Sequence, residues 1–237
     1  MNDEIAVLMA AGLGTRMRPL TEKTPKPLIK VFGKPMIETV IDGLEARGVR
    51  HVYIVVGYKK EQFGYLTAKY GNVSIIENTE YTTVNNISSV HAALPVMNAN
   101  CFICEADLYV SDPSIFLAEL SHSCYYGKMV KGHSDDWVFP QDATGRIIRV
   151  CKGGDDCFNM CGVAYFSKDD VKKIADAINA AYKKKGTYED KFWDNIVDEE
   201  INNLYLTVHE VGKNQIVEID SVKELEVVDP NYKEYNL

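Results

Sequence analysis

"PMIETVIDGLEARGVRHVYIVVG", residues 35–57, carries two periodicities end to end. Ile37, Val40, Ile41 and Leu44 recur at the three-and-four spacing of a helix that buries one face, and Gly48 stands where such a helix stops. His51–Gly57 is then a β-branched apolar run, the composition of a buried strand. A similar apolar run, Ile5–Met9, precedes the stretch, so the predicted unit is strand, helix, strand.

The alternation continues outward. "KKEQFGYLTAKYG" predicts a second helix, "VSIIEN" a third strand, "NISSVHAALPVM" a third helix and "CFICEAD" a fourth strand. Short apolar strands alternating with helices predict an α/β fold: a Rossmann-like, mixed but mainly parallel sheet with helices on both faces. Past residue 123 the texture changes. "CYYGKMVK", "DWVFP", "RIIRVCK" and "CFNMCGVAYFS" are short runs joined by turn signals such as Asp142–Gly145, which predicts added antiparallel strands. "KDDVKKIADAINAAYKKKG" is an amphipathic helix with Val171, Ile174, Ala175 and Ile178 on one face, and "DKFWDNIVDEEINN" also reads as helix. The strands "LYLTVHEV" and "QIVEID" and a helix from Ser221 close the chain. No repeat, low-complexity tract or linker interrupts it, so one domain over residues 1–237 is expected, with a small inserted lobe at about 124–205.

With 26 basic against 34 acidic residues the net charge is −8, which opposes non-specific binding to nucleic acid or an anionic membrane. No stretch approaches the roughly 20 apolar residues of a membrane span. The start, "MNDEIAVLMAAGLG", lacks a basic n-region and reads as a strand rather than a signal peptide. Small-molecule partners and a cytoplasmic location are the expectation. Six cysteines are too few for a disulfide scaffold. Cys101 and Cys104 have zinc-like spacing, as do Cys157 and Cys161. An offset of three on a strand, however, sends Cys101 and Cys104 to opposite faces, which favours core cysteines.

Directly behind the first strand comes "AAGLGTRMRPLTEKTPKP", residues 10–27. In an open parallel sheet the loop after the first strand is the favoured phosphate site. Gly12 and Gly14 permit close backbone approach and a positive φ, so main-chain N–H groups can converge on an anion. A dinucleotide GxGxxG fails, because position 17 is Met, and no GxxxxGK[ST] occurs. Arg16 and Arg18 follow the glycines. Lys26 is held between Pro25 and Pro27, which stiffen its backbone. A solvated surface lysine needs no such mount.

Residues 10–38, "AAGLGTRMRPLTEKTPKPLIKVFGKPMIE", resemble the signature of nucleoside triphosphate transferases that build activated sugars and alcohols. The resemblance implies that Gly12, Gly14, Thr15, Arg16 and Lys26 bind a triphosphate, with the backbone of Ala10 and Ala11 against the base. Nucleotidyl transfer requires a divalent metal, normally Mg²⁺, on oxygen ligands. "ICEAD" and "IVEID" each place two carboxylates two apart at a strand end: Glu105 with Asp107, and Glu218 with Asp220. The family pattern maps its metal aspartates onto Asp107 and Asp220, with Glu218 in support.

The two tryptophans both neighbour aspartates, in "DDW" at 135–137 and "FWDN" at 192–195. Aromatic faces hold a desolvated cation with roughly 0.5–2 kcal/mol each, and adjacent acids add attraction. Together with "NNISS", "EADLYVSDPSIF" and "VEIDSVKEL", these motifs resemble bacterial CTP:phosphocholine cytidylyltransferases over residues 5 to about 228. By that resemblance Trp137, Phe192 and Trp193 form an aromatic choline site, Asp136 and Asp194 face the ammonium, and 124–205 is an acceptor lobe. Phe192 stands where a tyrosine is expected, and Lys191 adds positive charge beside it. Tyr81, Asn86 and Ser89 are carried over as nucleotide contacts. The implied reaction transfers CMP from CTP to phosphocholine, giving CDP-choline and pyrophosphate, with Arg16, Lys26, Asp107 and Mg²⁺ at the phosphates. A phosphate dianion needs no general base, so the five scattered histidines receive no chemistry. The alternatives are a sugar-1-phosphate acceptor, a phosphoethanolamine or aminophosphonate acceptor, and a catalytically silent nucleotide-binding module.

Overall fold

A computed structural model describes residues 3–235, with side chains described as far as 233. Glu4–Ala10 forms β1, the sheet's central strand. Lys30–Val31 and Lys34–Pro35 (β2, β3) make a short ribbon before helix α1, Met36–Arg47. Then follow β4 (His51–Val56), α2 (Gly64–Lys69), β5 (Val73–Glu77), α3 (Ile87–Ala93), β6 (Asn100–Glu105) and β7 (Leu108–Val110). Beyond them lie β8 (Cys124–Met129), β9 (His133–Phe139), β10 (Cys151–Asp155), β11 (Phe158–Phe166), α4 (Lys168–Tyr182) and α5 (Trp193–Glu199). The last elements are β12 (Thr207–Glu210), β13 (Ile216–Glu218) and α6 (Val222–Val228).

The main sheet runs β10-β9-β11-β6-β1-β4-β5, with β6, β1, β4 and β5 mutually parallel and β11 antiparallel to β6. Leu8 lies opposite Ile54 on one side and Cys104 on the other, so β1 has no free edge. Its alternate side chains feed two cores. Ala6, Leu8 and Ala10 join Ile37, Val40, Ile41 and Leu44 of α1 with Phe63 and Leu66. Ile5 and Val7 join Val90 of α3, Ile174 and Ile178 of α4, and Ile196 and Val197 of α5. Each of the four α1 residues is fully buried, contributing roughly 1.5–3 kcal/mol. Cys104 packs in the first core and Cys101 in the second, on opposite faces of β6 as the offset of three requires.

Because β4 lies on one side of β1 and β6 on the other, the strand order reverses at β1. The crevice beyond the carboxyl ends of β1 and β6 is where such a sheet binds ligands. Arg47, at the end of α1, ties the opposite end of β1. Its guanidinium is bidentate to Glu4 at 2.6 and 2.9 Å and donates to the carbonyls of Phe116 and Ala118. No helix among the described residues is long and apolar enough to cross a membrane.

Two local expectations shift. The run 146–150 forms only isolated bridges, and β10 begins at Cys151. The reason is that Ile147 and Ile148 donate to the carbonyls of Leu206 and Pro140, and Val150 donates to the Asp198 carboxylate. β12 joins β8 in parallel. The second helix starts with a 3₁₀ turn at Lys60–Phe63, and the third ends in one at Leu94–Val96.

Candidate active site

Gly14 adopts φ 60°, the left-handed conformation that lets the loop after β1 fold back on itself. A Cβ there would stand 3.0 Å from Lys26 Cβ and 3.0 Å from Thr21 Cγ2. Thr21 fixes the loop by donating its hydroxyl to the Gly14 carbonyl at 2.9 Å, and Tyr58 donates to the Thr21 carbonyl at 2.9 Å. Pro25 is extended and Lys26 opens a 3₁₀ turn with Pro27, so the lysine enters the crevice from a rigid support.

β7 and β13 pair antiparallel with Glu218 opposite Leu108, and the same register carried outward sets residues 219–220 alongside 106–107. The carboxylates of Asp107 and Asp220 each stand 2.6 Å from Lys26 Nζ. Arg16 reaches the second Asp220 oxygen at 2.8 Å from a side chain that is 71% exposed. Lys26 itself is buried. Burial alone would lower its pKa, but attraction and hydrogen bonds from Asp107 and then Asp220 prevail and hold it well above the ordinary lysine range. Glu105 is pushed far up by burial and then by Asp107, Glu218 and Asp194. Glu218 is raised to about 7 by burial and then by Asp220 and Asp107.

A cleft of about 410 Å³ gathers the residues expected to hold nucleotide and metal: Ala10, Ala11, Gly12, Gly14, Thr15, Arg16, Lys26, Tyr81, Asn86, Ser89, Asp107, Glu218 and Asp220. Gly57 admits the Tyr81 ring, since a Cβ there would lie 2.6 Å from it. Ser89 accepts from Asn78 Nδ2 at 3.1 Å. Met9, Leu13, Pro27 and Glu105 also line the cleft. Glu105 was legible as the partner of Asp107 in "ICEAD"; the other three carry no chemical signal in the sequence.

The donor set suits magnesium. Glu105, Asp107, Glu218 and Asp220 are all oxygen donors and face only two cations, Arg16 and Lys26, within the cleft lining. Among the described residues no three acidic, His or Cys side chains close into a ready cage. The Lys26 ammonium stands between Asp107 and Asp220 instead.

The five residues expected at the acceptor are divided differently. Trp137 meets Phe192 edge-on, ring centroids 5.5 Å apart at 69°. Trp193 does not join them. It is 4% exposed, stacked on Tyr125 at 5.9 Å and edge-on to Phe166. The cause lies at the helix start: Asn86 Oδ1 accepts the Trp193 backbone N–H at 3.0 Å and Asn195 Oδ1 accepts the Phe192 backbone N–H, which turns Trp193 inward and leaves Phe192 half-buried. Asp194 is likewise buried, accepts from Tyr125 OH at 3.0 Å, and is pushed up to about 7 by burial. Trp193, Asp194 and Glu105 line a small cavity beside the main cleft. Asp136 is exposed and accepts from Asn159 at 3.2 Å. Lys191 pairs with Glu199. The cation on the rings is Lys152, with Nζ 5.7 Å from the Trp137 centroid and 5.4 Å from that of Phe192.

The chain is similar to several known proteins. A 2-aminoethylphosphonate cytidylyltransferase of Lancefieldella rimae is 52% identical over 96% of this chain and 92% of its own. A choline-phosphate cytidylyltransferase of Streptococcus pneumoniae is 34% identical over 98% of this chain and 99% of its own. The solved CTP:phosphocholine cytidylyltransferase of Streptococcus pneumoniae superposes with a TM-score of 0.88 at 33% identity, covering 98% of this chain and 100% of that one. The MobA-like NTP transferase domain matches residues 6–186. With the cleft, its glycine loop and its opposed acids in place, the chain belongs to the family of MobA-like NTP transferase domains and is a nucleotidyltransferase.

Proposed function

We propose that this chain is a cytidylyltransferase that moves CMP from CTP to 2-aminoethylphosphonate and releases pyrophosphate. The near full-length likeness to cytidylyltransferases supports the nucleotide half. An acceptor oxygen forms a new bond to the α-phosphorus while the bond from that phosphorus to the bridging oxygen of pyrophosphate breaks, so no group need remove a proton from an ionised acceptor. The residues 12–26 loop cradles the triphosphate with backbone N–H groups. Lys26 and Arg16 neutralise charge that builds on the leaving pyrophosphate. Asp107, Asp220 and Glu218 would hold magnesium, which when bound supplies a Lewis acid for the phosphate oxygens. In this reading the segment at about 124–205 forms the acceptor side.

The observation that carries the aminophosphonate reading is the 52% identity to a 2-aminoethylphosphonate cytidylyltransferase over 96% of this chain, and the acids beside the cleft agree with it. Glu105 shares a small cavity with buried Asp194. A primary ammonium brings three N–H donors to such carboxylates, whereas a trimethylammonium brings none. Phosphocholine is the second reading, supported by the Trp137–Phe192 ring pair and by the 34% identical relative.

The test is pyrophosphate release with CTP, UTP, dTTP and GTP against 2-aminoethylphosphonate, phosphocholine, phosphoethanolamine and glucose 1-phosphate. CTP with 2-aminoethylphosphonate should give the highest kcat/KM. A higher value for UTP or dTTP with glucose 1-phosphate would overturn the assignment.

A further inference from the structure

We infer that Lys152 sets acceptor selectivity, because its own ammonium occupies the aromatic surface that a quaternary ammonium would need. The inference rests on the reading above, that the acceptor carries a cation.

Trp137 on β9 and Lys152 on β10 are directly opposite across an antiparallel pair, and the pairing shifts register just beyond, between Lys152 and Gly154. The lysine side chain crosses to the rings and lies within 6 Å of both centroids, the range of a cation–π contact. Among the described residues no carboxylate pairs with it, unlike Lys191 with Glu199. The rings do not line the cleft themselves, but the chain links them to it. Phe192 is followed by Trp193, whose N–H is held by the cleft residue Asn86.

A trimethylammonium has no N–H and depends on ring faces for its stabilisation. To take them here it must displace Lys152 into water and then sit near a like charge. A primary ammonium can bond to carboxylates and leave the rings to Lys152. The same filled aromatic pair thus penalises one acceptor class and not the other.

The experiment compares the wild type with Lys152→Met and Lys152→Arg. Two quantities are read: the ratio of kcat/KM for phosphocholine to that for 2-aminoethylphosphonate with CTP, and the Kd of phosphocholine by calorimetry without turnover. For Lys152→Met the ratio should rise roughly threefold to thirtyfold, through the phosphocholine KM, and the phosphocholine Kd should fall by a similar factor. Lys152→Arg keeps a cation that stacks on rings and should stay within about twofold of wild type. A ratio and Kd unmoved in Lys152→Met, or an equal rise in Lys152→Arg, overturns the inference. If wild type turns over neither acceptor, the proposed function fails, and the phosphocholine Kd still decides the role of Lys152 by the same criteria.

Discussion

Replacing Lys26 with Met removes the one cation among the described residues in contact with both Asp107 and Asp220. Each ion pair at 2.6 Å is worth about 6 kcal/mol of gross attraction at an effective dielectric of 20. Most of that is offset by desolvation of the charges, and breaking a buried pair costs a net of about 3–5 kcal/mol. The aspartate side chains keep 26% and 24% of their exposure, so water relieves part of the loss and about 3 kcal/mol is the expected cost. For a chain of this size that corresponds to a fall in Tm of about 6–12 °C. The assay is calorimetric or fluorescence-monitored unfolding without nucleotide, with and without magnesium. Freed of the ammonium, the acids should bind the divalent ion more tightly, so magnesium should raise the Tm of Lys26→Met more than that of wild type. Turnover should fall by about 10²–10³ because a preorganised cation at the leaving group is gone. A drop of less than about 2 °C, with equal magnesium shifts in both proteins, would show that Lys26 does not hold these acids together.

Trp193→Ala should destabilise the fold by about 3–5 kcal/mol in chemical denaturation, because the ring is packed between Tyr125 and Phe166; a variant of wild-type stability with only a raised acceptor KM would refute this. Asp194 holds its proton to about pH 7 in the folded state but releases it near 3.8 when unfolded, so its burial makes stability fall as pH rises from about 4 to about 7. Relative to wild type, Asp194→Asn should therefore gain as much as about 4 kcal/mol between pH 4 and pH 8, and parallel stability curves would contradict the assignment. Arg47→Met leaves Glu4 and two carbonyls without their donor and should cost about 3–5 kcal/mol without altering the KM for CTP, as read by denaturation and initial rates.

Much of the site could be read from the linear chain because its signals are local. Gly12, Gly14 and the proline-flanked Lys26 sit within one loop, and strands buried on both faces announce themselves as unbroken apolar runs such as Ile5–Met9. The acids were legible as strand-end pairs, although their meeting depends on the β7–β13 register, which no local pattern specifies. The acceptor side was harder. "DDW" and "FWDN" look alike in one dimension, yet hydrogen bonds from Asn86 and Asn195 turn Trp193 into the core and leave Phe192 to meet Trp137. Lys152 reaches the rings only through a cross-strand register, so nothing nearby in the chain marks it, whereas Lys191 stands next to Phe192 in sequence yet pairs with Glu199. The parallel pairing of β12 with β8 likewise follows from long-range packing rather than from any turn signal.

The most direct measurement is a crystal structure with CTP and magnesium. The triphosphate should lie along residues 12–26 with Lys26 Nζ moved from Asp107 onto phosphate oxygen, and with Asp107 and Asp220 on the metal. Nucleotide bound elsewhere, with that loop empty and Lys26 still bridging the two aspartates, would contradict the account.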